Sequence, residues 1–283
     1  MSEQKTVQNK VEVYYFSGTG NSLFVAKELQ KRVPGVNLKP MVSLLTMDVI
    51  ETVGETVGFV FPVHLTTVPA PVKTFIRKLD LKSARYIFAL ATRCGTTHRA
   101  FLDIQKWLKQ KGKSLDSYFT LNMANNDPKF DYQVPTKEEI ARLESVFQDR
   151  LDSIQKIITA KEKYHEKDTQ VITPVSSAIL RLIPLIMFLT GHVGSGQELY
   201  ADSKCKGCGT CAKVCLSRKI MMVDEKPVWQ KNIRCYLCGA CLTYCPVQAV
   251  QIKPNRFPKI STENKGRYPH PYATADDIAR QKD

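Results

Sequence analysis

The chain has 283 residues, 43% of them hydrophobic and 24% charged, with a formal charge of +14. That length allows one good-sized core and a small second unit, and the composition excludes a disordered or fibrous chain. Residues 1–10 are polar and carry no apolar run, which reads as the lack of a secretory signal and places the protein in the cytoplasm.

Up to about residue 122 the pattern alternates strand and helix. Residues 11–16 form an apolar, β-rich run; residues 17–22 are a Gly-rich turn; residues 23–32 read as a helix with apolar positions at Leu23, Phe24, Ala26 and Leu29. A weakly signalled strand follows near 36–38. Residues 56–63 form a second buried strand, interrupted by Pro62, and 72–79 a short helix. Residues 85–92 form the next strand, 97–111 a helix and 118–123 the last strand. Alternation of this kind gives a parallel sheet covered on both faces. Residues 136–164 read as a long helix, opened by a capping box of Thr136 and Glu139 and striped by Ile140, Leu143, Phe147, Leu151 and Ile154. Trp107 sits at core spacing. Residues 162–170 are polar, and Thr173-Pro174 is a helix start. The most apolar stretch, around 174–190, contains Arg181 and Pro184 and is too short for a membrane span. It is expected to be a helix docked between domains, with a partner-binding or membrane-surface helix as the other reading. Residues after 254 are polar and read as a loosely ordered tail.

Cysteine usage is uneven. Of nine cysteines, Cys94 alone falls in the first 200 residues, and eight lie between Cys205 and Cys245. A cluster this dense, with no export signal, argues for metal rather than disulfides. Cys205, Cys208, Cys211 and Cys215 recur thirty positions later as Cys235, Cys238, Cys241 and Cys245. Each half reads C-x2-C-x2-C-x3-C. Three thiolates on one tight loop take three irons of a cubane, and the fourth iron faces a remote ligand, the last cysteine of the other run. One [4Fe–4S] cluster is therefore assigned to Cys205, Cys208, Cys211 and Cys245, the other to Cys235, Cys238, Cys241 and Cys215. Gly207, Gly209 and Gly239 let the backbone curl toward sulfide. Structural zinc prefers cysteine pairs separated by a longer span. Trp229, within this segment, reads as packing.

The turn after the first strand is Ser17-Gly18-Thr19-Gly20-Asn21-Ser22. Backbone N–H groups at a helix start make an anion site, and Ser17, Thr19 and Ser22 add hydroxyls. No lysine follows, so it is not a nucleotide P-loop. The loop resembles the FMN phosphate loop of flavodoxins. In such sheets the flavin lies beyond the carboxyl ends of the strands, at the switch point. That expectation brings Pro62, Val63 and His64, and Thr92, Arg93, Cys94 and Gly95, to the ring; Asn125 and Asn126 are further candidates. Neither loop carries an aromatic residue to sandwich the ring. Each of these side chains has an ordinary reading as well: His64 as a proton donor or a loop hydrogen-bonder, Arg93 as a partner of reduced flavin or a solvated cation, Cys94 as a flavin modulator or a small buried filler.

Residues 200–253 resemble the bacterial two-cluster ferredoxins, with Pro246 kept after the last cysteine and Leu216 in place of its counterpart, a change that could loosen that turn. The whole order resembles the flavodoxin–ferredoxin fusion proteins. The resemblance spans residues 11 to about 253 and implies FMN and two clusters; together with the pattern along the chain it gives an FMN domain at 1–165, a linker and apolar helix at 166–199, a two-[4Fe–4S] domain at 200–253 and a tail at 254–283. The expected fold is α/β: a flavodoxin-like, doubly wound, five-stranded parallel sheet with a small α+β ferredoxin-like domain. The expected role is electron transfer between two clusters, FMN and a redox partner; the alternative is an FMN-dependent reductase of a small substrate. Residues 201–260 hold eleven Lys and Arg against three Asp and Glu. Bound clusters and flavin phosphate, at roughly −2 each, offset only part of that charge. The excess points to an acidic redox partner, with a small-molecule acceptor open; no nucleic-acid motif is present and membrane-surface contact is not expected.

Overall fold

The structure is a computed structural model that describes residues 10–64, 67–94, 97, 99–128, 132–168, 182, 185, 198–253 and 261–283. Its first part runs β1 (Val11–Tyr15), α1 (Asn21–Arg32), β2 (Val36–Pro40), β3 (Thr56–Pro62), α2 (Ala70–Lys78), β4 (Tyr86–Arg93), α3 (Ala100–Lys109), β5 (Ser117–Asn122), α4 (Lys137–Ala160) and β6 (Tyr164–His165). All six strands are parallel, in the order β2-β1-β3-β4-β5-β6. The order 2-1-3-4-5 of the first five is the flavodoxin-like one, and its switch point lies between β1 and β3. The central strands are covered on both faces, so β1, β3 and β4 are nearly unbroken apolar runs. Phe59, Phe88 and Phe119 are fully buried there, each contributing about 2–3 kcal/mol. Gly58 interrupts β3 for a steric reason: a Cβ there would stand 2.2 Å from the Phe88 ring.

The sixth strand departs from the expected five. The long helix ends at Ala160, four residues early, because Lys161 takes a left-handed conformation (φ 53°) and its N–H caps Ile157 and Ile158. The chain then turns back along the sheet. Tyr164 stacks on Phe119 at 5.4 Å and His165 on Tyr118 at 4.8 Å. At the other end of α4 the Thr136 hydroxyl accepts from the Glu139 N–H as expected, but the carboxylate that reaches Thr136 is that of Glu138.

The cysteine-rich part is a pseudo-repeat. β7 (Leu199–Ala201) pairs antiparallel with β10 (Val250–Ile252), and β8 (Ile220–Val223) with β9 (Lys226–Trp229). One-turn helices α5 (Thr210–Lys213) and α6 (Ala240–Thr243) follow the two cysteine loops. The expectation of a loose tail fails at 261–283. Thr262, Ile278 and Gln281 are fully buried, and Thr274 and Asp277 form a reciprocal capping box that starts α7 (Ala275–Ala279). The apolar stretch around 174–190 lies outside the described residues except Leu182 and Leu185, which are helical and about half exposed. Among the described residues no helix is long and apolar enough to cross a membrane.

Candidate redox site

The 17–22 loop leaves the switch point and opens α1. Gly20 sits at φ +106°, a conformation other residues rarely adopt. Ser17 Oγ accepts from the Gly20 N–H (3.2 Å), and the Ser22 and Thr92 hydroxyls share a hydrogen bond at 2.7 Å. Asn21 Nδ2 donates to the Ala124 carbonyl, leaving Asn21 Oδ1 buried with no partner. The N–H groups of Gly18, Thr19, Asn21 and Ser22 have no acceptor among the described residues, although Gly18, Asn21 and Ser22 are buried. A buried helix start with orphaned donors lacks an acceptor, and a phosphate is one. The loop therefore fits the anionic end of FMN.

The neighbouring loops are tied to one another. The Val63 N–H bonds the Thr92 carbonyl at 2.9 Å, just past Pro62 at the end of β3. His64 and Thr67 exchange backbone hydrogen bonds, and the His64 ring lies edge-on to Phe16 at 6.3 Å. Arg93 is not the solvated cation of its second reading. Its side chain is only 7% exposed, and it is fixed by Asp168 (Nη1 to Oδ1, 2.6 Å) and Asn122 (Nε to Oδ1, 3.0 Å). Asp168 also accepts from the Thr97 N–H and hydroxyl, so Arg93 organises the loop after β4. Cys94 is exposed by surface area, yet desolvation by the residues packed around it pushes its thiol up. Gly95 lies outside the described residues. Asn125 accepts from the Asp127 N–H in a local turn, and Asn126 Nδ2 is buried without a partner.

The cysteines gather in two sets of four. Burial pushes the Cys211 thiol up to about 11, and the facing thiols of Cys245, Cys205 and Cys208 add to the shift. Burial pushes Cys238 up to about 12 and Cys241 well above the usual thiol range, with Cys235 and Cys215 adding to both shifts. Each of these shifts includes the last cysteine of the other half, and Cys241 also feels Cys211. Among the described residues no three His, Cys, Asp or Glu side chains converge on a single-ion position. Cys215, Cys235, Cys238 and Cys241 line one cavity walled by Leu216, Ile220, Trp229, Tyr236 and Leu237. In the other set Cys208 is exposed and Cys205 half-buried. Local donors reach the sulfurs: the Leu237 N–H to Cys235 (3.3 Å) and the Ala249 N–H to Cys245 (3.2 Å). Such contacts tune a cluster's potential.

The repeat extends to the backbone. Gly209 and Gly239 share φ near +72°, Gly207 (φ 71°) is matched by Leu237 (φ 56°), and Arg218 (φ 55°) by Gln248 (φ 51°). The Arg218 N–H reaches the Cys215 carbonyl and the Gln248 N–H the Cys245 carbonyl, both at 3.0 Å. Leu216 therefore does not loosen its turn; it is buried and makes the turn that Pro246 makes.

The two parts touch at the 17–22 loop. A Cβ on Gly18 would stand 1.9 Å from the Cys238 carbonyl oxygen, and one on Gly239 3.4 Å from the Thr19 methyl. The Tyr236 ring lies edge-on to Phe16 at 6.4 Å. Gln281 and His270 also reach the loop; the Ser17-to-Ser22 motif holds no signal for either.

Residues 204–250 match the 4Fe–4S dicluster domain family. No curated protein matches the chain. Among solved structures, the rubredoxin oxygen:oxidoreductase of Desulfovibrio gigas is 17% identical over 54% of this chain and 37% of its own, with TM-score 0.32. An azoreductase from Bacillus anthracis is 11% identical over 53% of this chain and 99% of its own (TM-score 0.33). A Trp repressor binding protein from Bacillus subtilis is 12% identical over 53% and 96% (TM-score 0.31). The chain thus spans little more than a third of the first of these. Likenesses this distant say nothing about what the chain binds. The strand order and the cysteine module are enough to state that a flavodoxin-like domain is fused to a small ferredoxin-like 4Fe–4S domain.

Proposed function

We propose that the chain is an electron carrier that joins two [4Fe–4S] clusters to an FMN and passes electrons to or from a separate redox partner. The observation that carries this reading is the contact of the Cys238 carbonyl with Gly18, which sets the second cysteine loop directly on the phosphate loop. Iron–sulfur clusters exchange single electrons and FMN one or two, so their union couples pair chemistry to single-electron traffic. Cys215, Cys235, Cys238 and Cys241 would hold the inner cluster, where Leu216, Ile220 and Leu237 exclude water. Cys205, Cys208, Cys211 and Cys245 would hold the outer one. The N–H groups of Gly18, Thr19, Asn21 and Ser22 and the hydroxyls of Ser17 and Ser22 would hold the flavin phosphate.

The outer loop suits a docking partner. Lys204 and Lys206 flank Cys205, and both are exposed beside exposed Cys208. An acidic redox protein would be steered there, with a rate that falls as salt rises. Fusion supplies the inner contact at high effective concentration. Eight reduced thiols suit a reducing compartment such as the cytoplasm.

The test is anaerobic purification with iron, sulfide and flavin quantified, then a reductive titration followed by visible and EPR spectra. The reading expects about eight irons, eight sulfides and one FMN per chain. Zinc in place of iron, or no flavin after reconstitution with FMN, would sink it.

A further inference from the structure

The segment 261–283 grips the outer side of the phosphate loop. Gln281, fully buried, makes a two-way bond to Ser17: its Oε1 accepts from the Ser17 N–H (3.0 Å) and its Nε2 donates to the Ser17 carbonyl (2.7 Å). The His270 N–H donates to the Thr19 carbonyl at 3.0 Å. The segment is itself held from both parts of the chain. The His270 ring stacks on Phe24 of α1 at 4.2 Å, and Lys27 pairs with Asp277 at 3.0 Å. On the ferredoxin-like side, the Tyr244 hydroxyl donates to the Ala273 carbonyl (3.0 Å) and Lys213 pairs with Asp276 (2.6 Å).

A trans peptide points its C=O and its N–H in opposite directions. Holding the Ser17 carbonyl outward therefore turns the Gly18 N–H inward. Holding the Thr19 carbonyl outward turns the Gly20 N–H inward, where it meets Ser17 Oγ. The loop's own sequence does not enforce these two orientations, because Gly18 and Gly20 leave the backbone free to rotate.

We propose that the segment 261–283 is part of the flavin-phosphate site, with Gln281 as a positioning residue that aims the loop's N–H groups at the phosphate. The inference rests on the FMN reading above. It adds that phosphate affinity is set by a side chain 264 positions from the loop.

The experiment compares the full chain with Gln281→Ala, Gln281→Glu and a control, Arg280→Ala, whose side chain is exposed. Flavin-free protein is titrated with FMN and, separately, with riboflavin. Loss of one buried hydrogen-bonding group is expected to weaken FMN roughly 10- to 100-fold in both Gln281 variants and leave riboflavin unchanged. Gln281→Glu keeps an acceptor for the Ser17 N–H but loses the donor to its carbonyl, so it does not rescue. Equal weakening of both flavins, or no weakening of either, overturns the proposal. Amide exchange at residues 17–23, measured without flavin, is the second readout: it accelerates in both Gln281 variants and not in the control. If the parent chain binds neither flavin, the FMN reading falls. The positioning role is then decided by exchange alone, and unchanged exchange in Gln281→Ala overturns it.

Discussion

Gly18→Ala tests whether the cysteine module really sits on the 17–22 loop. Gly18 is not at positive φ, so an alanine there has no backbone strain to overcome. Its whole cost is steric: the new Cβ meets the Cys238 carbonyl oxygen at 1.9 Å and its carbonyl carbon and Cβ at 2.7 Å. Two of those three atoms are backbone, and no rotamer change can move them. Overpacking in a core that can adjust costs about 1–3 kcal/mol. This site cannot adjust locally, so about 3 kcal/mol or more is expected, released by separating the two parts. Gly209→Ala is the comparison: it sits at φ +72° with nothing within 4 Å of the new Cβ. It pays only for the left-handed backbone, about 1 kcal/mol. Amide exchange on the anaerobic holoprotein reads the difference. Gly18→Ala should expose residues 17–22 and 281 while iron and sulfide content stay at the parent level. Gly209→Ala should leave exchange in the 17–22 loop unchanged. If Gly18→Ala exchanges like the parent, the modules do not touch there and the electron-transfer contact is wrong.

Three other outcomes follow from the geometry. The two clusters should titrate at different potentials, because one cavity is walled by apolar side chains and the other set is open to water and lysines. The buried one should be the more negative, its step should vanish in Cys241→Ala, and a single potential for both would contradict the assignment. Arg93→Ala and Asp168→Asn should destabilise the chain alike, by about 2–4 kcal/mol, since each leaves the other half of a largely buried pair unmatched. Denaturation of both variants measures this, and a neutral Arg93→Ala would return Arg93 to the list of solvated cations. His270 has its pKa lowered to about 4 by burial, and its Nδ1 faces the Tyr272 N–H. The unfolded chain binds that proton more readily, so the contribution of neutral His270 is full above about pH 6.5 and is lost as pH falls toward 4. At most about 3 kcal/mol is at stake. Relative to the intrinsic exchange rate at each pH, exchange at residues 17–20 should rise over that window in the parent and stay flat in His270→Phe.

The alternating core was readable because buried parallel strands are written as continuous apolar runs, and the glycine loop because it falls between one such run and a helix. The cysteine repeat was readable for a different reason: cluster geometry leaves few spacings to choose from. What escaped was held by contacts between distant residues. Arg93 looked free because Asp168 lies 75 positions away. The sixth strand is two residues long and is held by rings stacked across the sheet, a signal too short for periodicity. The segment 261–283 is polar and looked loose, yet it grips backbone carbonyls, for which polar side chains and N–H groups are the right chemistry. One local sign was present: Thr274 followed by Asp277 is a capping pattern, and it marks the helix that seats Gln281.

The two adjacent carboxylates on that helix face different environments. Asp277, one-fifth exposed, meets Lys27 of the flavodoxin-like domain, whereas Asp276 and its partner Lys213 are both more than half exposed. Added electrolyte screens the open pair first, within a Debye length of about 8 Å at 0.15 M. Rising ionic strength therefore loosens the segment from the cysteine module before it loosens it from α1. The Lys213–Asp276 link would weaken first, while Tyr244 still holds the Ala273 carbonyl and the Lys27–Asp277 link persists beside the glycine loop.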